Sequence, residues 1–434
     1  MIVPQEIADL IVDQLSDDKT SLAAIALAGR QLLERSRMHA YSVLSFNPQP
    51  TTVVQPSRVP TQLLQLLQAS PSLTPHVKTL QLKSPSGFII DHAASHGASD
   101  AWLAEIISLP KFFNVQNLLL SHTFIHPSYF PFYEYLLSCT SIKSLSFKKH
   151  TVLPLPEDLH TFFSFFDNLE SLRANSIVSF SPDMASSPAI QHDSQHIYLR
   201  RWEGTMSTGM RDALFHPACP VKLSRLEELS VESNRAPALK VFLIPHLRHL
   251  SVTGCALCST SGKDINNYDL MTSSLYLADP QLPLHHLETL SFTLTDYSML
   301  GDPLGFEFWV TCFKTPLVHR LNSLCFGVWL SMPGLVEPRP LQPRDYRNFL
   351  ASGPVWTEFD RTLSGDHLPN LRDIEFTLRC HTPLNQTTLE ALKQVRNLVE
   401  EWCPILTERG ILRIVLVCLL SIQNFDINQY FSGR

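Results

Sequence analysis

His246-Leu-Arg-His-Leu-Ser-Val252 carries the pattern on which the chain is built: polar, apolar, polar, polar, apolar, any residue, apolar. The same seven slots open at His76 (HVKTLQL), Asn114 (NVQNLLL), Ser141 (SIKSLSF), Asn168 (NLESLRA) and Arg225 (RLEELSV). They open again at His286 (HLETLSF), Arg320 (RLNSLCF) and Asn370 (NLRDIEF). A chain this apolar would show the full pattern about twice by chance, so nine copies mark an internal repeat. Leu250 and Val252, two residues apart, share one face of a strand, while Ser251 and Thr253 take the other. Leu247 sits at the bend before the strand and buries beside the same core.

Between phrases lie apolar stretches of helical spacing, so each repeat reads as one strand plus one helix. Helices are expected at Gln62–Ala69, Ala101–Leu109, Tyr129–Cys139, Leu159–Phe166, Phe306–Phe313 and Leu389–Cys403. One such unit cannot bury its apolar face alone, and stacking neighbours solves that. The strand phrase resembles the L-x-x-L-x-L of the leucine-rich repeat family. Looser matches at Tyr41-Leu44-Phe46 and Leu412-Val415-Val417 would begin and end the array. Phrase separations run from 21 to 57 residues, against about 20–29 in regular arrays. The longest gap, 169–226, is expected to hide a further phrase around His196-Ile-Tyr-Leu199. The resemblance implies an α/β fold, an irregular leucine-rich-repeat solenoid of parallel strands and helices over residues 48–434.

With 44% apolar and 17% charged residues, the chain belongs among folded proteins. A net charge of −6 gives no reason to expect nucleic acid as partner. The opening MIVPQEIADL lacks the basic start and apolar run of a signal peptide. The longest apolar run, Ile411 to Ile422, is twelve residues interrupted by Arg413 and fits a buried strand better than a membrane span. Nine cysteines without a secretory signal imply free thiols in a reducing compartment, hence a cytoplasmic or nuclear location and no membrane partner.

The first forty-odd residues differ from the rest. Pro4 opens an amphipathic helix whose Ile7, Leu10, Ile11 and Leu15 fall on one stripe. Ser16 to Thr20 is a turn, Ser21 to Ala28 a second helix, and Gly29 breaks it before a third from Arg30 to Ala40. The segment VPQEIADLIVDQL…SLAAIALAGRQLLERSR resembles the F-box. That family's L-P-x-E-L…I-L…L falls on Val3, Pro4, Glu6, Ile7, Ile11, Val12 and Leu15, and its L-x5-V-C-R-x-W on Leu22, Ala28, Gly29, Arg30 and Leu32. The chain most resembles the large fungal, basidiomycete-type group of F-box proteins with degenerate leucine-rich repeats.

The resemblance implies an all-α three-helix F-box over residues 1–47 that docks a Skp-type adaptor and, through it, a cullin. It implies adaptor contacts at Val3, Pro4, Ile7, Ile11, Leu15, Leu22, Ala28 and Leu32. The chain would then be a non-catalytic substrate-receptor subunit of a Skp–cullin–F-box ubiquitin ligase, with the repeats holding a protein client. The rival is an F-box-like repeat scaffold that joins no ligase.

No catalytic motif stands against this. Cys255-Ala-Leu-Cys258 is a lone C-x-x-C without a second pair at zinc spacing. Gly262-Lys263 lacks the rest of a phosphate loop, and His285-His286 precedes a strand where His76 and His246 also stand. No metal and no cofactor are expected, and an enzyme using Cys255 and Cys258 is the remaining alternative. Recognition falls to the outward row of the strands, which includes Ser146, Arg173, Ser230, Ser251, Ser291, Cys325 and Glu375. Arginine and aromatic side chains most often anchor interfaces. Lys148, Arg173 and Glu232 are therefore the expected client-binding residues, roofed by the 176–225 insertion, while 259–272 and 332–344 are expected to be loops.

Overall fold

Three apolar slots per phrase dictate the architecture, because each must leave water and only a neighbouring phrase offers an apolar surface of the same pitch. In the computed structural model this is what the strands do. The structure describes residues 4–46, 61–83, 112–121, 133–135, 141–148, 152–153, 156–174, 179–180, 196–205, 214, 216–232, 246–255, 286–295, 304–314, 318–329, 353–380 and 386–418. The protein is α/β with extensive parallel sheet, and it divides into two compact units, Met1–Leu223 and Ser224–Arg434.

In the first unit, strands β1 (Val43–Phe46), β2 (Thr79–Lys83), β3 (Asn117–Ser121), β4 (Ser144–Lys148), β6 (Ser171–Ala174) and β9 (Arg201–Thr205) run parallel in that order. Two short pairs stand apart, β5 (Val152–Leu153) with β7 (Ser179–Phe180) and β8 (Ile197–Tyr198) with β10 (Val221–Lys222). In the second unit, β11 (Glu228–Glu232), β12 (His249–Cys255), β13 (Thr289–Thr295), β14 (Ser323–Trp329), β15 (Asp373–Cys380) and β16 (Leu412–Cys418) are likewise parallel in chain order.

The first apolar slot of each of the nine phrases is buried, from Val77 to Leu371, and so are the two strand slots after it, Leu80/Leu82 through Ile374/Phe376. Each such side chain contributes about 1.5–3 kcal/mol by leaving water. The polar slots are governed by the backbone. Lys78 and Thr79 both donate their N–H to the Ser42 carbonyl, Gln116 and Asn117 to that of Lys78, and Lys143 and Ser144 to that of Gln116. Glu288 and Thr289 repeat this on Arg248, and Arg372 and Asp373 on Asn322. Two of the opening asparagines also cap the turn of the preceding phrase: Asn114 Nδ2 donates to Pro75 O at 2.7 Å, and Asn370 Nδ2 to His319 O at 2.8 Å.

The phrase hidden in 169–226 opens at the end of the expected His196–Leu199 stretch, with Leu199 as its first apolar slot. Ile197–Tyr198 leaves the row to pair with Val221–Lys222, and Arg201–Thr205 takes the strand position. Its slots are Leu199, Trp202 and Gly204, the last standing opposite Ala174. Gly204 has φ +139°, and a Cβ there would come within 2.1 Å of the Ala174 carbonyl oxygen, so no other residue fits. The final phrase is also corrected. Leu412 stands opposite Ile374 and Ile414 opposite Phe376, so Leu412 and Ile414 take the register of the strand slots expected at Val415 and Val417.

Helices α1 (Gln5–Gln14), α2 (Lys19–Ala28) and α3 (Arg30–Ala40) form the amino-terminal module. Asp18 caps α2, its Oδ1 accepting from the Thr20 and Ser21 N–H groups at 3.0 and 3.1 Å. The module belongs to the first unit together with the strands after it.

Further helices are α4 (Thr61–Ala69), α5 (Pro156–Ser164), α6 (Leu304–Phe313), α7 (Gly353–Leu363), α8 (Gln386–Trp402) and α9 (Pro404–Glu408). Four of these match expected helices to within a few residues. Ala101–Leu109 and most of Tyr129–Cys139 lie outside the described residues, as do the 259–272 and 332–344 segments. Helix α7 was not legible, because Asp360 interrupts its apolar stripe of Trp356, Phe359 and Leu363. Asp360 is buried, and its carboxylate accepts the N–H groups of Ile405 and Leu406 at 3.1 and 2.9 Å, capping α9.

Candidate functional site

The apolar stripe of α1 points away from the module. Ile7, Leu10 and Ile11 are 48%, 57% and 50% exposed, and Leu27 on α2 is 89% exposed. The residues packed inward are Ala8, Val12 and Leu22. The sequence has apolar residues on two sides of α1, and the smaller pair, Ala8 and Val12, takes the inside. A run of aliphatic side chains at i, i+3 and i+4 left half in water is a surface with something to gain from a partner.

Among the residues expected at an adaptor contact, Pro4, Ile7, Ile11 and Ala28 are exposed, while Leu15 and Leu32 are half-buried. Leu22 is fully buried, so in this conformation it braces the helices against one another and offers no surface. Val3 lies outside the described residues. Leu10 and Leu27, which the family pattern did not single out, are the most exposed of the set; only their lipophilicity in a solvated setting could have marked them.

Helix α1 is fixed to α3 by polar contacts at both ends. Arg35 donates from Nε to Asp13 Oδ1 at 2.6 Å and from Nη2 to Oδ2 at 2.7 Å, and His39 Nε2 lies 2.7 Å from Oδ1. These bonds, first from Arg35 and then from His39, hold the Asp13 carboxyl well below the usual carboxylate range. At the other end Gln5 Nε2 donates to Asp9 Oδ1 at 2.7 Å and to the Gln31 carbonyl at 3.1 Å.

On the strand row of the first unit, Arg173 is not an isolated anchor. Its guanidinium pairs with Glu203 at 2.7 Å, directly across from it on β9, and both side chains are partly exposed. Lys148 ends the adjacent strand β4, opposite Ser121, two residues along from the Ser146–Arg173 pairing. Glu232 ends β11 in the other unit, where its backbone pairs with Thr253. Glu203 escaped sequence reading because its strand did. A similar arrangement closes the second unit's row, where Arg413 donates to Glu375, and Glu375 Oε1 also lies 3.4 Å from the Thr377 hydroxyl.

Cys255 ends β12 opposite Leu294, just past a register shift after Val252, and Cys258 lies outside the described residues. Among the described residues no three His, Cys, Asp or Glu side chains are placed to hold a metal ion, and no helix is long and apolar enough to cross a membrane. Burial pushes the Cys219 thiol up to about 11 and the Cys312 thiol up to about 12, which keeps both protonated at neutral pH. Cys403 is raised further by burial and by the nearby Asp360 charge. No protein-family model matches the chain, and a search of curated proteins finds no match either.

Proposed function

We propose that the protein is a non-catalytic substrate receptor of a Skp–cullin–F-box type ubiquitin ligase, its helical module docking the adaptor and its strand row holding a protein client. The observation that carries this reading is the exposed stripe Ile7, Leu10 and Ile11 on a three-helix module whose small core is already filled by Ala8, Val12 and Leu22. The F-box resemblance of the same residues supplies the partner's identity. The parallel row behind the module supplies a rigid platform on which outward side chains such as Arg173 and Glu203 are set at fixed spacing.

The test is capture by a purified Skp-type adaptor of the full chain and of Ile7→Asp/Ile11→Asp. Covering the exposed half of two isoleucines is worth about 1.5–3 kcal/mol in all, and a buried charge costs more, so capture should fall at least tenfold. The circular dichroism of the variant should match wild type, because neither residue packs the core. Undiminished capture of the double variant, or no capture of wild type, would favour the scaffold reading, in which the repeats bind protein outside any ligase.

A further inference from the structure

We infer that Asp13 is the positioning residue of the α1 stripe, a role that rests on the docking function proposed above. The apolar contact holding α1 in place is slight, since Val12 is its only large residue fully buried within the described module. Rotating α1 by a single residue, about 100°, would carry Ile7, Leu10 and Ile11 off their face. What opposes rotation is directional. The Arg35 fork grips both Asp13 oxygens at 2.6 and 2.7 Å, and His39 approaches the first of them from one turn further along α3. Such a two-bond pair fixes geometry as well as distance, which a hydrophobic contact of this size does not.

The grip also reaches the strands. Ser42, just after α3, donates its hydroxyl to the His39 carbonyl at 2.8 Å, and its own carbonyl accepts the N–H groups of Lys78 and Thr79. Glu34 on α3 lies 3.3 Å from His76 Nε2 in the turn before β2. Asp13 therefore joins the docking helix to an element that is itself tied to the first two strands. With the single Gln5 bond to the Gln31 carbonyl at the other end of α1, its two-oxygen grip sets which way the stripe faces relative to β1 and β2.

The experiment uses the full chain as wild type, Asp13→Asn, Asp13→Glu and Ile7→Asp/Ile11→Asp. One readout, amide hydrogen exchange of α1, needs no partner; the other is capture by a Skp-type adaptor at low salt and at 1 M salt. Asp13→Asn should raise exchange in α1 several-fold while β1 and β2 stay protected, and should weaken capture about tenfold at low salt. Asp13→Glu, which keeps the charge, should retain most of the capture. One molar salt shortens screening to about 3 Å, so it should narrow the gap in capture between wild type and Asp13→Asn.

Unchanged exchange in α1 overturns the proposal. So does raised exchange with full capture, in which case the stripe docks without being positioned. If Asp13→Glu behaves as Asp13→Asn at both salts, side-chain shape outweighs charge and the proposal also falls. An adaptor that captures no form of the protein removes the docking reading and the positioning role with it. The exchange data then report on the grip alone.

Discussion

The third apolar slot of the phrase changes in opposite directions in the two units. In the first it runs Phe46, Leu82, Leu120, Phe147, Ala174, Gly204, falling from a phenyl ring to nothing over its last three strands. In the second it runs Val231, Val252, Phe292, Phe326, Phe376, growing until three phenylalanines lie along consecutive strands. There Phe292 stacks on Trp309 at 4.8 Å and Phe326 on Phe376 at 4.8 Å, with Phe359 and Trp356 of α7 standing edge-on at 5.0 and 5.1 Å. The strands follow suit, at four or five residues in the first unit's row and seven or eight from β12 onward. One backbone plan thus carries two kinds of core. In the first the slot closes by backbone approach at Ala174 and Gly204, the buried rings there coming largely from Phe162, Phe163 and Phe166 beside the strands; in the second the slot itself carries the rings.

Cutting the aromatic core should have the largest effect. Phe326→Ala is expected to cost about 3–5 kcal/mol, seen in denaturant unfolding, with amide protection lost in β13 to β15 and kept in β2 to β4. Filling the first unit's close approach comes next. Gly204→Ala adds overpacking to positive-φ strain, roughly 2–4 kcal/mol together, and should loosen β6 and β9 while leaving the aromatic core intact. If both variants unfold the same amides, the two cores are not separate and the comparison fails.

A smaller effect belongs to the polar contact inside the second core. Asp360→Ala removes the cap of α9 and should cost about 0.5–2 kcal/mol in a thermal melt, with exchange rising at Ile405 and Leu406. Smallest is the pair on the first unit's outward face. A double-mutant cycle on Arg173 and Glu203 should return a coupling of about 0–1 kcal/mol, because both side chains remain partly in water. A larger coupling would give the row a stabilising role and weaken its use for recognition.

These particulars also show what the sequence could reveal. The three apolar slots were legible because Leu, Val, Ile and Phe recur there at fixed spacing whatever surrounds them. The copy at Leu199, Trp202 and Gly204 was not, since a strand slot closed by backbone contact needs glycine, the residue a pattern of apolar side chains excludes. The register of Leu412–Cys418 was hidden for the opposite reason. Leu412, Ile414, Val415, Leu416 and Val417 are apolar on both faces, so alternation selects neither. Helix α7 was lost to one buried carboxylate within its stripe. The outward aim of Ile7 and Ile11 was implied by the family pattern, while periodicity alone left it open because Ala8 and Val12 offer the helix a second apolar side. Arg173 was found without its counter-ion because Glu203 stands on the missed strand.

The carbonyls of Ser42, Lys78, Gln116, Arg248 and Asn322, each holding two N–H groups of the following phrase, set the pitch of their rows with one oxygen per step. That linkage ignores how much chain lies between steps, which ranges from 21 residues between Glu227 and Arg248 to 50 between Asn322 and Arg372. Intervals can therefore lengthen or shorten without moving a strand, while a single-residue deletion inside a phrase would turn that strand's inward residues outward. The array is in this sense a ruled page. Whole segments can be grafted between its lines, and the graft would inherit a fixed mounting point on either side.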